Sequence, residues 1–443
     1  MSQIRIMHFR SIATASAVLL LTGCQSRMPC QGFDASTNTN SPSTSGVINI
    51  SIDGSGSMKG FANVADSSYH KTLELLDNVL GISSALGFSQ SQTNAYRIGR
   101  EAGTANKFSS IKIDILSARA PIFYEEQKGK WPKVSSMIDR FVSSNPSSVD
   151  VLISDLEPDN ASIKQLLSAL LPKLDYSRTS NFLGIKRASS APISLVLVGI
   201  KSQFAGGVFP VVPGTFPSYT YSGLRPFYVL VLGPTSQVEK LVSRLTSNKS
   251  LAADIQLTRF ATNPDSGKTI FLNASTTISP PNCLIPAATI SQGLSGKLML
   301  QDAQQRWMQA QRIRGCPAQQ GSISYGADPL LGFGNIGSSP DVLTSSNALI
   351  TSHVIAPSGI KVSTQFQLMP GTVNIMNVAI DTTKLDDLQW DSWSTPGTKM
   401  EGGKTQRLLP LIQSIRSETD SKARSSSSGS VYSPLRFCSA VKA

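Results

Sequence analysis

Short β-branched runs alternate with segments of helical spacing between residues 46 and 262, and this alternation most constrains what the chain can fold into. Residues 47–53, 95–99, 111–116, 149–154, 194–200 and 227–232 are apolar runs of strand length. Between them, residues 67–86 set Leu73, Leu76, Val79 and Leu80 on one helical face. Residues 132–142 read as a helix with Pro132 in its first turn, where the missing amide hydrogen is harmless. Residues 161–174 are leucine-rich, and residues 237–246 keep helical spacing. Apolar strands separated by helices predict an α/β fold: an open, mostly parallel sheet of six strands with helices on both faces. Residues 204–224 are rich in glycine, proline and aromatics, so a loop or hairpin is expected there instead of a covering helix.

Residues 263–443 follow another rhythm. Residues 269–273, 360–368 and 373–380 alternate with period two between glycines and prolines, which predicts a β-rich C-terminal domain. Residues 301–313 and 405–415 are helix candidates, and RSSSSGS at 424–430 reads as a flexible loop. Trp131, Trp307, Trp390 and Trp393 read as core or loop anchors, and the pair Trp390 and Trp393, beside Asp386, Asp387 and Asp391, is the best place to look for an exposed binding patch in the second domain.

Composition removes several function classes. Only His8, His70 and His353 occur in 443 residues, too few for a multi-histidine zinc site and poor material for a Ser-His-Asp hydrolase. Forty Lys and Arg against 28 Asp and Glu leave a net charge of +12, yet no dense basic run is interleaved with aromatics. A nucleic-acid groove is therefore not expected. Gly54, Gly56 and Gly60 miss the dinucleotide pattern, because Lys59 stands where the third glycine belongs.

The N-terminus reads as a secretory signal over residues 1–23. Arg5 and Arg10 precede an apolar stretch at 12–22, which falls short of the ~18 residues a membrane-spanning helix needs. It ends LTGC at 21–24, which resembles the lipobox of bacterial lipoproteins. The resemblance implies acylation of Cys24, a firm hold on a membrane leaflet and residence in the cell envelope, at the outer membrane in a Gram-negative host. Residues 24–45 are rich in Ser, Thr and Asn and read as a tether. Cys30, Cys283, Cys316 and Cys438 remain, an even number that suits two disulfides in an oxidising compartment. Cys283 with Cys316 and Cys30 with Cys438 is the pairing favoured by proximity in sequence.

The richest segment for chemistry is INISIDGSGSM at 48–58, a buried strand that ends in D-x-S-x-S. Residues two apart in a turn aim Asp53, Ser55 and Ser57 at one point beyond the carboxyl edge of the sheet, where open α/β sheets bind ligands. One carboxylate with two neutral hydroxyls suits a hard, oxygen-seeking cation, Mg²⁺ first and Mn²⁺ or Ca²⁺ next. The pattern resembles the metal-ion-dependent adhesion site of von Willebrand factor A-like domains. VDVLISD at 149–155 matches the strand that supplies that family's second aspartate, which makes Asp155 the fourth metal residue. LVGIKSQFAG at 197–206 and RPFY at 225–228 resemble a bacterial subgroup of the same family. The family's threonine has no counterpart between residues 116 and 149; Ser117, Ser135, Ser136 or a water are the candidates for its place, and Thr104 is read as belonging to a preceding hairpin.

The resemblance implies a membrane-anchored, non-catalytic module that captures a partner protein, with a carboxylate of the partner completing the cation's shell. Two other readings stand beside it. One is a structural envelope lipoprotein with a degenerate metal site, and the other is a hydrolase, for which no acid–base pair stands out beyond the aspartates.

Overall fold

The computed structural model describes residues 46–81, residues 91–260 with gaps, the longest at 177–192, and residues 387–425, together with the backbone of separate strands between 268 and 440. In chain order the first part runs β1 (Gly46–Asp53), α1 (Lys59–Ala62), α2 (Ser68–Gly81), β2 (Ser91–Glu101), β3 (Phe108–Lys112), β4 (Val134–Ser135), β5 (Val149–Ser154), α3 (Asn160–Tyr176), β6 (Ile193–Val208), β7 (Tyr219–Pro234), α4 (Thr235–Ser247) and β8 (Ile255–Phe260). The rest runs β9 (Lys268–Phe271), β10 (Gln319–Ser324), β11 (Leu343–Ser345), β12 (Ala348–Ala356), β13 (Gly359–Leu368), β14 (Val373–Asp381), β15 (Ser394–Thr395), β16 (Thr405–Gln406), α5 (Leu408–Ser425) and β17 (Val431–Ala440).

Strands β1 to β8 form one mixed sheet ordered β3-β2-β1-β5-β7-β6-β8, with β4 on β2. Its centre is parallel: β1 lies between β2 and β5, and all three point the same way. The α/β reading therefore holds, but six mostly parallel strands do not. Strands β6 and β7 form a long antiparallel hairpin, and β7 slots between β5 and β6. A parallel return needs a crossover of a dozen or more residues, and the connection at 209–218 is too short for one. The helix expected at 132–142 is also absent. Val134 and Ser135 pair with the end of β2, and only a single 3₁₀ turn at Ile138–Phe141 follows.

Both faces of the sheet are buried, for the reason visible in the strands: nearly every residue of β1, β5 and the second half of β7 is apolar or takes a polar partner. Ile48, Ile50, Ile52, Val151, Ile153, Val198 and Val229 face α2 and α4, meeting Leu73, Leu76, Leu241 and Leu245. Leu152, Leu195, Leu197, Leu230 and Leu232 face the other way, onto Leu166 and Leu170 of α3 and Leu411, Ile412 and Ile415 of α5. Each such side chain contributes ~1.5–3 kcal/mol by leaving water.

On the second face Trp390 and Trp393 are core anchors, as expected of the tryptophans, and the patch that their acidic neighbours suggested is not exposed; they are 0% and 3% exposed and pack edge to face on this sheet. Gly199 makes room for them, since a Cβ there would lie 2.8 Å from the Trp390 ring. The indole of Trp390 donates to Thr258 Oγ1, and Asp387 receives two hydrogen bonds from Arg416 of α5. The neighbouring acid that suggested a wet surface is one half of a buried clamp.

Beyond the main sheet, β10, β13 and β12 pair as one sheet, and β11, β14, β17 and β9 as another. The signal segment, Cys24, the tether, Cys30, Cys283, Cys316 and the helix candidate at 301–313 lie outside the described residues; of Cys438, in β17, only the backbone is described. Among the described residues, no helix is long and apolar enough to cross a membrane.

Candidate metal site at the carboxyl edge of β1 and β5

The register of the two central strands builds the site. Ile52 lies opposite Ile153, so the next residues, Asp53 and Ser154, stand side by side at the sheet's edge. Asp53 Oδ2 accepts from Ser154 Oγ at 2.8 Å and from Ser136 Oγ at 2.7 Å. Its other oxygen accepts the backbone N–H of Ser55 at 2.9 Å, which turns the D-x-S-x-S loop back on itself. Ser55 and Ser57 then bring their hydroxyls within 3.0 Å of each other. Asp53 and Ser55 are buried, and Ser57 is partly exposed.

Arg97, on β2, holds this loop from below. Its guanidinium donates to the carbonyls of Gly54 (3.1 Å), Phe123 (2.8 Å) and Pro132 (3.2 Å). Gly54 is required by this contact, because a Cβ would lie 2.8 Å from the arginine side chain.

Asp155 follows β5 directly, and Leu156 after it adopts the left-handed conformation with φ 49°. For a leucine that conformation costs on the order of 1–2 kcal/mol. It is held by burial of the Leu156 side chain and by a hydrogen bond from its N–H to Ser154 Oγ at 3.1 Å. The result is an aspartate 1% exposed whose two carboxylate oxygens accept no hydrogen bond of ordinary geometry among the described residues. Burial pushes its pKa up to about 7, helped by the charges of Glu157 and Asp53; Arg225 and the nearby Ser57 hydroxyl pull the other way. Glu157 is occupied elsewhere, pairing with Arg225 at 2.8 Å and accepting the N–H of Gln406 at 3.0 Å.

The sequence-derived set is thus brought together at one edge, with two additions. Ser136 is the member of the serine trio that reaches Asp53. Ser117 donates to the Asp114 carbonyl, Ser135 is exposed in β4, and Thr104 donates to Glu101 in the β2–β3 turn. Ser154 is not among the residues that the sequence pattern marks, although it immediately precedes Asp155 at the strand end, and its side chain shares an edge with Asp53. Thr405 also lies here, buried, with its hydroxyl 3.0 Å from that of Tyr228 and 3.5 Å from the Asp155 carbonyl. Nothing local in the sequence announces it.

The donor set fits a hard cation. Two bare, buried carboxylate oxygens are a costly arrangement unless a proton or a cation meets them. Among the described residues no group of three or more His, Cys, Asp or Glu side chains gathers. A cation would therefore rest on Asp53, Asp155 and hydroxyls and would keep waters, as Mg²⁺ does. Comparison with protein-family models, with curated proteins and with solved structures finds no match to this chain.

Proposed function

We propose that this chain is a cell-envelope lipoprotein, anchored through Cys24, whose main sheet is a von Willebrand factor A-like domain that binds a partner protein through a divalent cation. Asp53, Ser55, Ser57 and Asp155 hold the cation, Mg²⁺ first and Mn²⁺ or Ca²⁺ next, and Ser136 takes the part of the family's threonine. Strands β9 to β14 and β17 belong to a β-rich second domain. The observation that carries the reading is Asp155, whose two buried oxygens accept no hydrogen bond of ordinary geometry among the described residues, at the edge where four serine hydroxyls and a second aspartate meet.

When bound, the cation supplies an open coordination position for a carboxylate of the partner. The chain's own residues do the rest. Ser136 and Ser154 orient Asp53, Arg97 fixes the loop that carries Ser55 and Ser57, and the strained Leu156 keeps Asp155 at the edge. Isothermal titration with Mg²⁺ and Mn²⁺ is expected to show saturable binding that Asp53→Ala abolishes without unfolding. Capture of a partner from envelope extract is expected in Mg²⁺ and lost in EDTA; equal capture in both overturns the reading. One observation favours the alternative of a structural lipoprotein with a degenerate site: Ser136 and Ser154 already satisfy Asp53 with no cation. Absence of any binding heat with either metal would select it.

A further inference from the structure

Strands β6 and β7 run on past the sheet to which they belong. Their last pairs with neighbours are Ser154 with Tyr228 on one side and Ile200 with Ile255 on the other, and the hairpin then continues from Lys201 with Pro226 to Val208 with Tyr219. At ~3.3 Å per residue this arm reaches about 26 Å beyond the carboxyl edge. One side of it is packed. Phe204 meets the Phe61 ring edge-on at 4.8 Å, Val208 is buried, and a Cβ on Gly206 would fall 2.6 Å from the Gly60 Cα. Gln406 ties down the tip, accepting the Val211 N–H at 3.3 Å and donating to the Phe209 carbonyl at 2.9 Å. The rest of the arm faces water. Phe209, Tyr219 and Leu224 are 46%, 39% and 47% exposed, three of the four large apolar side chains so exposed among the described residues. Residues 202–224 hold no Asp, Glu, Lys, Arg or His, although 15% of the chain is charged.

We infer that this arm is a second membrane contact, whose tip enters the headgroup region of a bilayer beside the anchor at Cys24. The inference rests on the lipid anchor proposed above and adds a contact that the anchor alone does not supply. Three observations choose a bilayer as the occupant. The first is composition. Surfaces that dock on folded proteins are enriched in arginine and ringed by polar groups. Here exposed Phe, Tyr and Leu stand among Gly, Pro, Ser and Thr with no charge, which suits the zone where aromatic rings settle and where a buried charge is costly. The second is reach. The 22 residues from Cys24 to Ser45 extend up to about 70 Å. They join β1 at the amino edge, and β1 with the arm spans about 50 Å at ~3.3 Å per residue, so anchor and tip can hold the same leaflet. The third is charge: 40 Lys and Arg against 28 Asp and Glu draw the chain toward an anionic surface. Tethering makes insertion intramolecular, so a shallow, weak insertion suffices. Two points of attachment then fix how the sheet is oriented on the membrane.

The test sediments residues 24–443 with Cys24→Ser, which cannot be acylated, together with vesicles of phosphatidylethanolamine and phosphatidylglycerol, and separately with vesicles of neutral phosphatidylcholine. Binding to both is expected, stronger to the anionic vesicles. Phe209→Ser combined with Leu224→Ser is expected to lower the bound fraction about tenfold on both, because such binding scales with buried apolar area. Ser218→Glu, which sets a charge on the exposed tip, is expected to give a similar loss and decides the matter if the double variant fails to fold by circular dichroism. Binding that survives these changes, binding to anionic vesicles alone, or no binding at all overturns the inference. Dimerisation in analytical ultracentrifugation that Phe209→Ser with Leu224→Ser abolishes also overturns it, in favour of a second copy of this chain on the arm. Absence of an acyl group on Cys24 by mass spectrometry of the wild-type chain overturns the anchor and not the arm, whose vesicle binding is measured without it.

Discussion

Strands β1 and β5 carry a buried aspartate at each end of their shared edge, and the two are treated in opposite ways. At the amino end Asp150 is saturated. Asn49 and Ser148 donate to one oxygen, and Lys173 and the Ser143 backbone to the other, at 2.6–2.9 Å. At the carboxyl end Asp155 is just as buried and has no hydrogen bond of ordinary geometry. A closed network of this kind rigidifies a core and leaves nothing to bind. An open one lacks that compensation and is costly unless a proton or a cation meets it.

The largest effect is expected from breaking the closed end. Asp150→Ala strands the Lys173 ammonium in the core and should lower unfolding free energy by about 3–5 kcal/mol in urea titrations. The matching Asp155→Ala should cost far less; comparable losses would erase the distinction between the two ends.

Next comes pH. The pKa of Asp155 in the folded chain lies above its value near 3.8 in the unfolded one, so between about pH 4 and pH 7 the folded state keeps a proton that the unfolded state has released. Stability of the metal-free protein should therefore fall across that window, by up to about 4 kcal/mol from this group, and level off above it. Asp155→Asn should flatten this slope and leave the metal-free protein more stable at pH 8. Saturating Mg²⁺ at pH 8 should raise the melting temperature of the wild type and not of the variant. An unchanged slope in Asp155→Asn would mean that its oxygens are satisfied after all.

Smaller changes sharpen the map of the open end. Ser136→Ala removes one donor to Asp53 and should cost about 1 kcal/mol of stability with a several-fold loss of Mg²⁺ affinity in calorimetry. Ser117→Ala, at the hydroxyl bound to the Asp114 carbonyl, should leave Mg²⁺ affinity unchanged. A loss at Ser117 equal to that at Ser136 would remove Ser136 from its assigned place.

Much of this edge was legible. Two strands long enough to be buried each ended in an aspartate, and an apolar run broken by a carboxylate marks a strand tip whatever surrounds it. The choice among Ser117, Ser135 and Ser136 was not legible, because residues 132–142 read as a helix and form β4 and a 3₁₀ turn instead. Pairing of Val134 with the end of β2 is what swings Ser136 toward Asp53. The tryptophans are the core anchors that their size suggests, but the patch beside them is not exposed: the acidic neighbours suggested water, and Asp387 has Arg416 as its partner, 29 residues away in the chain.

The sequence by itself determined which residues stand at the ends of β1 and β5, since local periodicity and a polar stop are properties of a few consecutive positions. The tertiary structure alone decided that β7 would slide beside β5, that Arg97 and Arg225 would lie at the same edge, and that the Asp155 carboxylate would be buried with no ordinary hydrogen bond among the described residues. Desolvation and Coulomb energy depend on distances between groups remote in the chain, and no local pattern of residues encodes those distances.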